Sequence, residues 1–501
     1  MSVSFASKND LSNANLSQGK STWVRPSDWL TMPTVLPTEN KVVILYAVFD
    51  TDNETPTITM TTSNNSNYTI DWGDGTVVTN NAVGTNVTHT YNYATIDNAT
   101  LTSRGYKQVL ITITPTNAGV TFTNSIIFGS ATTNVWNALD MVISFTNNGT
   151  IAYTISIFPL CESVNIVNGT IVGTFQFQNY YALRNLSKLT LAVGTTSLTF
   201  MFSSCYSLEY LPEINFNGCT ISNTQGMFNY CYNLKSVYKF QVSSVTTTAT
   251  MFSNCYSLEL IPNFQFGGVI TTTASMFSGC SKLKQIDATF ASNSVLTTTV
   301  SMYSGCSQLQ SVPTLTVTGT SLVNTSSMYN NCYLLRSVPI LNTSYVTNAS
   351  IMHNNCLVLK EIPFYDLQRC TNAYNFIGGC VGITTVQSLN LGALNGGAVN
   401  GIYQFFNGCS GLVTIPTITI PSTATSYTST FPTSGNLKKM RMTGLRYTFS
   451  LANNKLSAAE LDIIFGNLVA TTGQIITITG NPGAATCTRS IATAKSWTVT
   501  G

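Results

Sequence analysis

The stretch Phe202-Ser203-Ser204-Cys205-Tyr206-Ser207-Leu208-Glu209-Tyr210-Leu211-Pro212 decides the fold, because the chain writes the same phrase again and again. An aromatic residue leads, two small or polar residues follow, then a Cys, then apolar residues three and six positions on. The Cys slot is held in turn by Cys161, Tyr180, Cys205, Cys231, Cys255, Cys280, Cys306, Cys332, Cys356, Cys380, Cys409 and Ser434. Apart from a short first interval and one of 29, these twelve anchors lie 24 to 26 residues apart. A fixed period of this size marks a solenoid, in which each coil buries its apolar face only against its neighbours.

Composition fits such a stack. Of 501 residues, 44% are hydrophobic but only 8% are charged, far below the roughly 25% of an ordinary soluble domain. The surface must therefore be built from Thr, Asn, Ser, Gln and Gly. With 22 basic and 19 acidic residues, the net charge of +3 gives no field for nucleic acid or anionic lipid. No apolar run approaches the roughly 20 residues of a membrane span. The N-terminal MSVSFASKNDLSNANLSQGK has no basic segment leading into an apolar one, so no secretion signal is expected.

Ten of the 13 Cys occupy the repeated slot. In-register neighbours in a parallel stack sit about 4.8 Å apart with parallel Cβ vectors, whereas a disulfide needs Cβ atoms about 3.8 Å apart and converging. The expected state is a ladder of reduced thiols acting as small buried hydrophobes. Tyr180 and Ser434 in the same slot suit packing and do not suit metal ligation.

The N-terminal segments follow other patterns. Residues 1–40 are polar up to Ser21, then set Trp23, Trp29 and Leu30 among Pro26, Pro33 and Pro37, which forbid a long helix. Such an extended arm has two roles open to it. It is a strap on the next domain, or a segment docking another subunit through Trp23, Arg25, Trp29 and Leu30. In residues 41–115, Lys41–Asp50 reads as a buried strand, and Tyr68–Trp72 runs into the hairpin signal Gly73-Asp74-Gly75. His89-Thr90-Tyr91 and the β-branched run Gln108–Thr114 follow. Short strands at this spacing predict a small β-sandwich.

The pieces YTIDWGDGTVV, THTY and KQVLITITPTN, in that order, resemble a PKD-type immunoglobulin-like domain. The resemblance implies a sandwich used for spacing or binding in extracellular and virion proteins. Asp71 and Asp74 are the candidate Ca²⁺ ligands, although carboxylates in a Gly-rich turn commonly serve as turn formers. No cofactor is expected.

Residues 116–156 read as an N-terminal cap, with Trp136, Leu139 and Val142 in the anchor, +3 and +6 slots one period before Cys161. Residues 157–440 are the solenoid proper, about twelve coils. In each, a pair such as Leu258/Ile261 or Leu309/Val312 is expected to form a short parallel strand stopped by Pro262 or Pro313. Met251-Phe252, Met276-Phe277, Met302-Tyr303 and Met328-Tyr329 fill the other wall, and Thr246–Thr248, Thr271–Thr273 and Thr297–Thr299 make stacked rows. Residues 441–501 break the period and read as a C-terminal cap containing one amphipathic helix, Leu456–Gly466. The fold class is mainly β: an immunoglobulin-like sandwich, then a leucine-rich-repeat solenoid.

The unit M-F-x-x-C-x-x-L-x-x-I-P with its Thr/Ser-rich connector resembles the BspA-type and Mycoplasma-type surface leucine-rich repeats. That resemblance implies an adhesive or scaffolding surface with no shared active site. No catalytic motif appears, and both His are expected to be packing residues: His89 in the H-x-Y piece, His353 in a slot filled elsewhere by Phe or Tyr. Taken together, the modules and the low charge resemble the exterior proteins of tailed bacteriophages. This implies a non-enzymatic virion protein made in the host cytoplasm: a capsid decoration, fibre or tail appendage. Its partners would be other virion proteins, a host-surface glycan or protein, and further copies of itself, without nucleic acid or membrane insertion. The alternative is a bacterial adhesin exported by a route other than the general secretory one. A carbohydrate-active tail enzyme comes third and needs two carboxylates about 5–9.5 Å apart in a cleft.

Overall fold

The computed structural model describes residues 23–50, 55–82, 84–128, 135–146, 149–151, 157–174, 176–240, 242–387, 389–391, 402–424, 427, 429–432 and 435–501. The anchor Ser434 and the first 22 residues of the arm lie outside the described residues. The chain is mainly β, with a β-solenoid of about 14 turns and few helices. It divides into two compact units: residues 1–193, 204–218 and 233–238 form the first, and residues 194–203, 219–232 and 239–501 the second.

The first unit is organised around Lys41–Val48 (β1). Its other strands are Thr57–Thr62 (β2), Tyr68–Asp71 (β3), Val77–Asn81 (β4), Val87–Thr88 (β5), Lys107–Pro115 (β6), Phe122–Phe128 (β7) and Ala138–Ser144 (β8). Thr150–Ile151 (β9), Ser163–Asn168 (β10), Thr170–Ile171 (β11) and Asn185–Leu186 (β12) complete the named set. β1 pairs antiparallel with both β6 and β8, while β8 pairs parallel with β10, and β10 with β12. The result is one seven-stranded sheet, ordered β12-β10-β8-β1-β6-β3-β4, beside a three-stranded sheet β5-β2-β7. Segments that the sequence divides at residues 115 and 156 thus share one sheet. The continuous apolar run KVVILYAV of β1 is explained by this central place, buried on both faces.

One register differs from expectation. Ser163 is level with Asp140, and the Glu162 amide donates to the Leu139 carbonyl at 2.9 Å. Val164, the +3 residue after Cys161, is therefore level with Met141, two residues from the expected Leu139. The offset is 23 residues here and 22 between β10 and β12, against 24 to 26 between most of the later anchors.

In the second unit each coil is held by bonds to the next. Thr248, Thr250, Phe252 and Asn254 donate backbone N–H groups to Thr272, Ala274, Met276 and Ser278 at 2.7–3.2 Å. The expected strands are thinner than their apolar pairs suggest: Leu260–Ile261 pairs with Gln285–Ile286 and no further. The reason is local. The Leu258 amide is spent in a turn on the Cys255 carbonyl at 3.1 Å, as Leu283 is on Cys280 and Leu309 on Cys306.

The tight corner before each Cys needs left-handed backbone. Asn254, Gly279, Gly305, Asn331, Asn355, Gly379 and Gly408 hold φ between 59° and 78°, which Asn and Gly adopt at least cost, while Ser204 and Tyr230 take the same conformation at 63° and 62° before Cys205 and Cys231.

Beyond residue 440 the sequence pattern stops but the stacking does not. Phe449–Ser450, Gln474–Thr477 and Trp497–Thr500 pair in parallel as further coils. The C-terminal segment is therefore part of the stack, and its irregular spacing comes from the helix Ala458–Asn467 inserted into one coil. Ser457 caps that helix by accepting from the Glu460 amide. The Glu460 carboxylate reaches back to the Met440 amide at 2.9 Å and to Arg441.

Candidate functional site

The repeated thiols are interior. Cys205 through Cys409 are fully buried at every anchor, and no disulfide joins any of the 13 Cys. At each anchor from Cys205 to Cys409 the Sγ donates to a backbone carbonyl of the preceding coil, as Cys280 does to Phe252 at 3.0 Å and Cys306 to Phe277 at 3.0 Å, whereas Cys161 donates to the Ser163 carbonyl. Burial pushes the Cys280 and Cys332 thiols up to about 12. They are protonated donors at neutral pH, without the thiolate that redox or metal chemistry requires.

Beside them runs a buried aromatic stack. Phe202, Phe228, Phe252, Phe277, Tyr303 and Tyr329 lie with ring centroids 5.3–5.7 Å apart and planes within 11°. His353 continues it 5.1 Å from Tyr329. Its Nε2 meets the Tyr365 hydroxyl at 3.0 Å, and burial lowers its pKa to about 3. A neutral, stacked imidazole of this kind serves packing.

The Thr triplets do not all face outward. Thr248, Thr273 and Thr299 are fully buried, while Thr246, Thr271 and Thr297 are exposed. The exposed row donates its hydroxyls back along the stack, Thr271 to the Thr246 carbonyl and Thr297 to that of Thr271. The outward surface of the coils therefore offers methyls, amides and few charges. Its ion pairs include the exposed Lys284–Glu259 at 2.8 Å.

The arm residues are spent within the chain. Trp29 is 5% exposed, packed with Leu45, Ala47, Tyr106 and Leu139, and its Nε1 donates to the Tyr106 hydroxyl. Leu30 packs on the same cluster, and its amide donates to Gln108. Arg25 pairs with Asp140 at 3.0 Å and also donates to the Trp29 and Leu30 carbonyls. Trp23 donates to Glu162 at 2.8 Å. As placed here, these groups form a strap over the chain's own sheet, which leaves the buried Trp29 unable to dock a separate subunit.

Asp71 and Asp74 sit in the β3–β4 hairpin as turn acceptors, from the Gly73 and Thr76 amides. His89 joins Asp74 at 2.7 Å and stacks on Trp72, while the Tyr91 hydroxyl donates to the Trp72 carbonyl. Burial opposes ionisation of Asp74, but the Thr76 amide and His89 hold its pKa below the ordinary value. The H-x-Y piece, which follows β5, thus staples the W-G-D-G hairpin from outside. Among the described residues no group of three or more His, Cys, Asp or Glu is placed to hold a metal ion, and no helix is long and apolar enough to cross a membrane.

Sequence reasoning missed Asp140, Glu162, Asn165 and Asn185. They line two hollows beside the strap, of about 570 and 320 Å³. The larger is floored by the outward side chains of β8, β10 and β12 and flanked by Trp23, Arg25, Thr31 and Met32. Burial raises the Asp140 carboxyl from its ordinary value, partly offset by Arg25 and Ser163. The alternation Ser163-Val-Asn165-Ile is the signal that places Asn165 on the open face.

With this geometry in place, the comparisons fit. The family described as "Mycoplasma protein of unknown function, DUF285" matches residues 196–316 and 261–362, the regular centre of the solenoid. The match and the β-solenoid together support a protein like the BspA-type and Mycoplasma-type repeat proteins. No curated protein matches the chain.

Proposed function

We propose that this chain is a non-enzymatic structural protein whose solenoid displays an adhesive surface, carried on the exterior of a tailed-bacteriophage particle. The observation that carries the adhesive part is the division of chemistry in each coil. The thiols of the anchor slot and one aromatic stack are consumed inside, and a low-charge surface rich in Thr, Asn and Ser, with Tyr230, Tyr256 and Tyr333 among them, is left outside. Such a surface engages partners through many polar contacts with little salt dependence. The PKD-like reading of the two N-terminal sheets supports a mounting module, as does the low overall charge. Attachment to the particle falls to that module's outer surface, because Trp29 is already buried.

Gradient-purified particles probed with an antibody to the chain decide the mounting. The proposal expects a fixed copy number per particle; absence from intact particles sinks it. A second reading, a cell-surface adhesin, is favoured by the Mycoplasma-type family match. It predicts the chain in the envelope fraction of cells that carry no phage.

A further inference from the structure

The larger hollow beside the strap has a built floor. β8, β10 and β12 run parallel, so Asp140, Ser163 and Asn185 stand side by side on one rung. Val142 and Asn165 stand on the next, with Ser187 two residues on from Asn185. Alternation along a strand puts both rungs on the same face. Asn185 Nδ2 donates to Ser163 Oγ at 3.1 Å, and Ser187 Oγ accepts from the Ile166 amide at 2.7 Å, so the outer groups are held in position. Asn165 is different. Its side chain is exposed at the centre of the floor and makes no hydrogen bond among the described residues.

We infer that this groove is a binding site for a neutral oligosaccharide. Three features select that class. The charges lining it are Arg25 and Asp140, which pair with each other at 3.0 Å, and Arg25 also serves two carbonyls. No cation is left for a phosphate or a sugar acid. Ser163, Asn165, Asn185 and Ser187 set amides and hydroxyls into a lining that is otherwise largely apolar, and such groups both donate and accept, as sugar hydroxyls do. Trp23 flanks the groove with an aromatic body, and Met32 and Val142 add apolar surface for the C–H faces of a pyranose ring. The volume of about 570 Å³ lies within the roughly 300–1,000 Å³ of small-ligand sites, enough for a short oligosaccharide. Asn165 supplies the uncommitted amide, reading one sugar hydroxyl from each of its two ends. The inference rests on the adhesive reading above and gives it a site; it does not depend on where the protein is mounted.

The test uses the full chain on an array of neutral and acidic oligosaccharides, with the strongest neutral binder then titrated in solution. Wild type is expected to retain neutral oligosaccharides, with affinity unchanged between low and high salt. Asn165→Ala should weaken binding tenfold or more at an unchanged melting temperature, and Asn165→Trp, which fills the groove from an exposed position, should abolish it. Tyr256→Ala, at an exposed position on a coil of the second unit, should bind as wild type. Preference for acidic sugars, or wild-type binding by both Asn165 variants, overturns the site. Adhesion of wild type to whole cells without any oligosaccharide binding also overturns the site while leaving the adhesive reading standing. Oligosaccharide binding without adhesion does the reverse.

Discussion

At the scale of single residues, the stack is uniform in shape and uneven in chemistry. Tyr303 occupies a ring slot held by Phe in the preceding coil, and its buried hydroxyl has no partner among the described residues. A buried polar group without a partner costs about 1–3 kcal/mol. Tyr303→Phe is therefore expected to raise unfolding stability by about 1 kcal/mol, read from denaturant midpoints; a loss of stability would mean that the hydroxyl is satisfied. His353 gives a pH-dependent counterpart. Its folded pKa of about 3 lies below the ordinary value of about 6.5, so the unfolded chain takes up a proton that the folded chain refuses. The stabilisation is complete above the unfolded value and is lost as pH falls towards the folded one. Between pH 7 and 5 wild type should lose about 2 kcal/mol that His353→Phe retains. Equal losses in both proteins would show that His353 is accessible to protons when folded.

At the scale of elements, the corner before each Cys is what lets a coil close. Asn254 holds φ at 60°, where a β-branched residue is an outlier. Asn254→Val should cost about 1–2 kcal/mol and Asn254→Gly much less, compared by thermal unfolding. Equal effects would remove the corner from the account. This feature was legible in the sequence, since Asn or Gly precedes Cys255, Cys280, Cys306, Cys332, Cys356, Cys380 and Cys409. The coil repeat and its inward residues could be read because identical environments recur and select identical residues. The final coils could not, because the helix Ala458–Asn467 takes over one side and removes the repeated phrase. The groove was also out of reach. Asp140, Asn165 and Asn185 belong to three successive strands, and only the parallel register of β8, β10 and β12 brings them together. The arm illustrates a different limit: Trp29 had two possible partners in the sequence, and only the fold shows Tyr106 and Leu45 beside it.

At the scale of the whole molecule, one physical arrangement links fold and function. Cross-coil backbone bonds fix the stack, interior slots absorb the sulfur and most of the aromatic rings, and the outer rows stay polar and nearly uncharged. Surface sequence can then vary from coil to coil without disturbing the core, as a repeat scaffold for recognition requires. The antiparallel strands at the N-terminal end join this scheme through β8, which pairs with β1 on one side and β10 on the other. Thiol reactivity tests the arrangement most directly. With a bulky thiol reagent the native protein should expose only Cys219 and Cys487, the two that are not buried, and the other eleven should react only after unfolding in denaturant without reductant. Rapid native labelling of the anchor cysteines, or a shortfall in free thiols after unfolding that reductant restores, would contradict the buried ladder and with it the account of the coil.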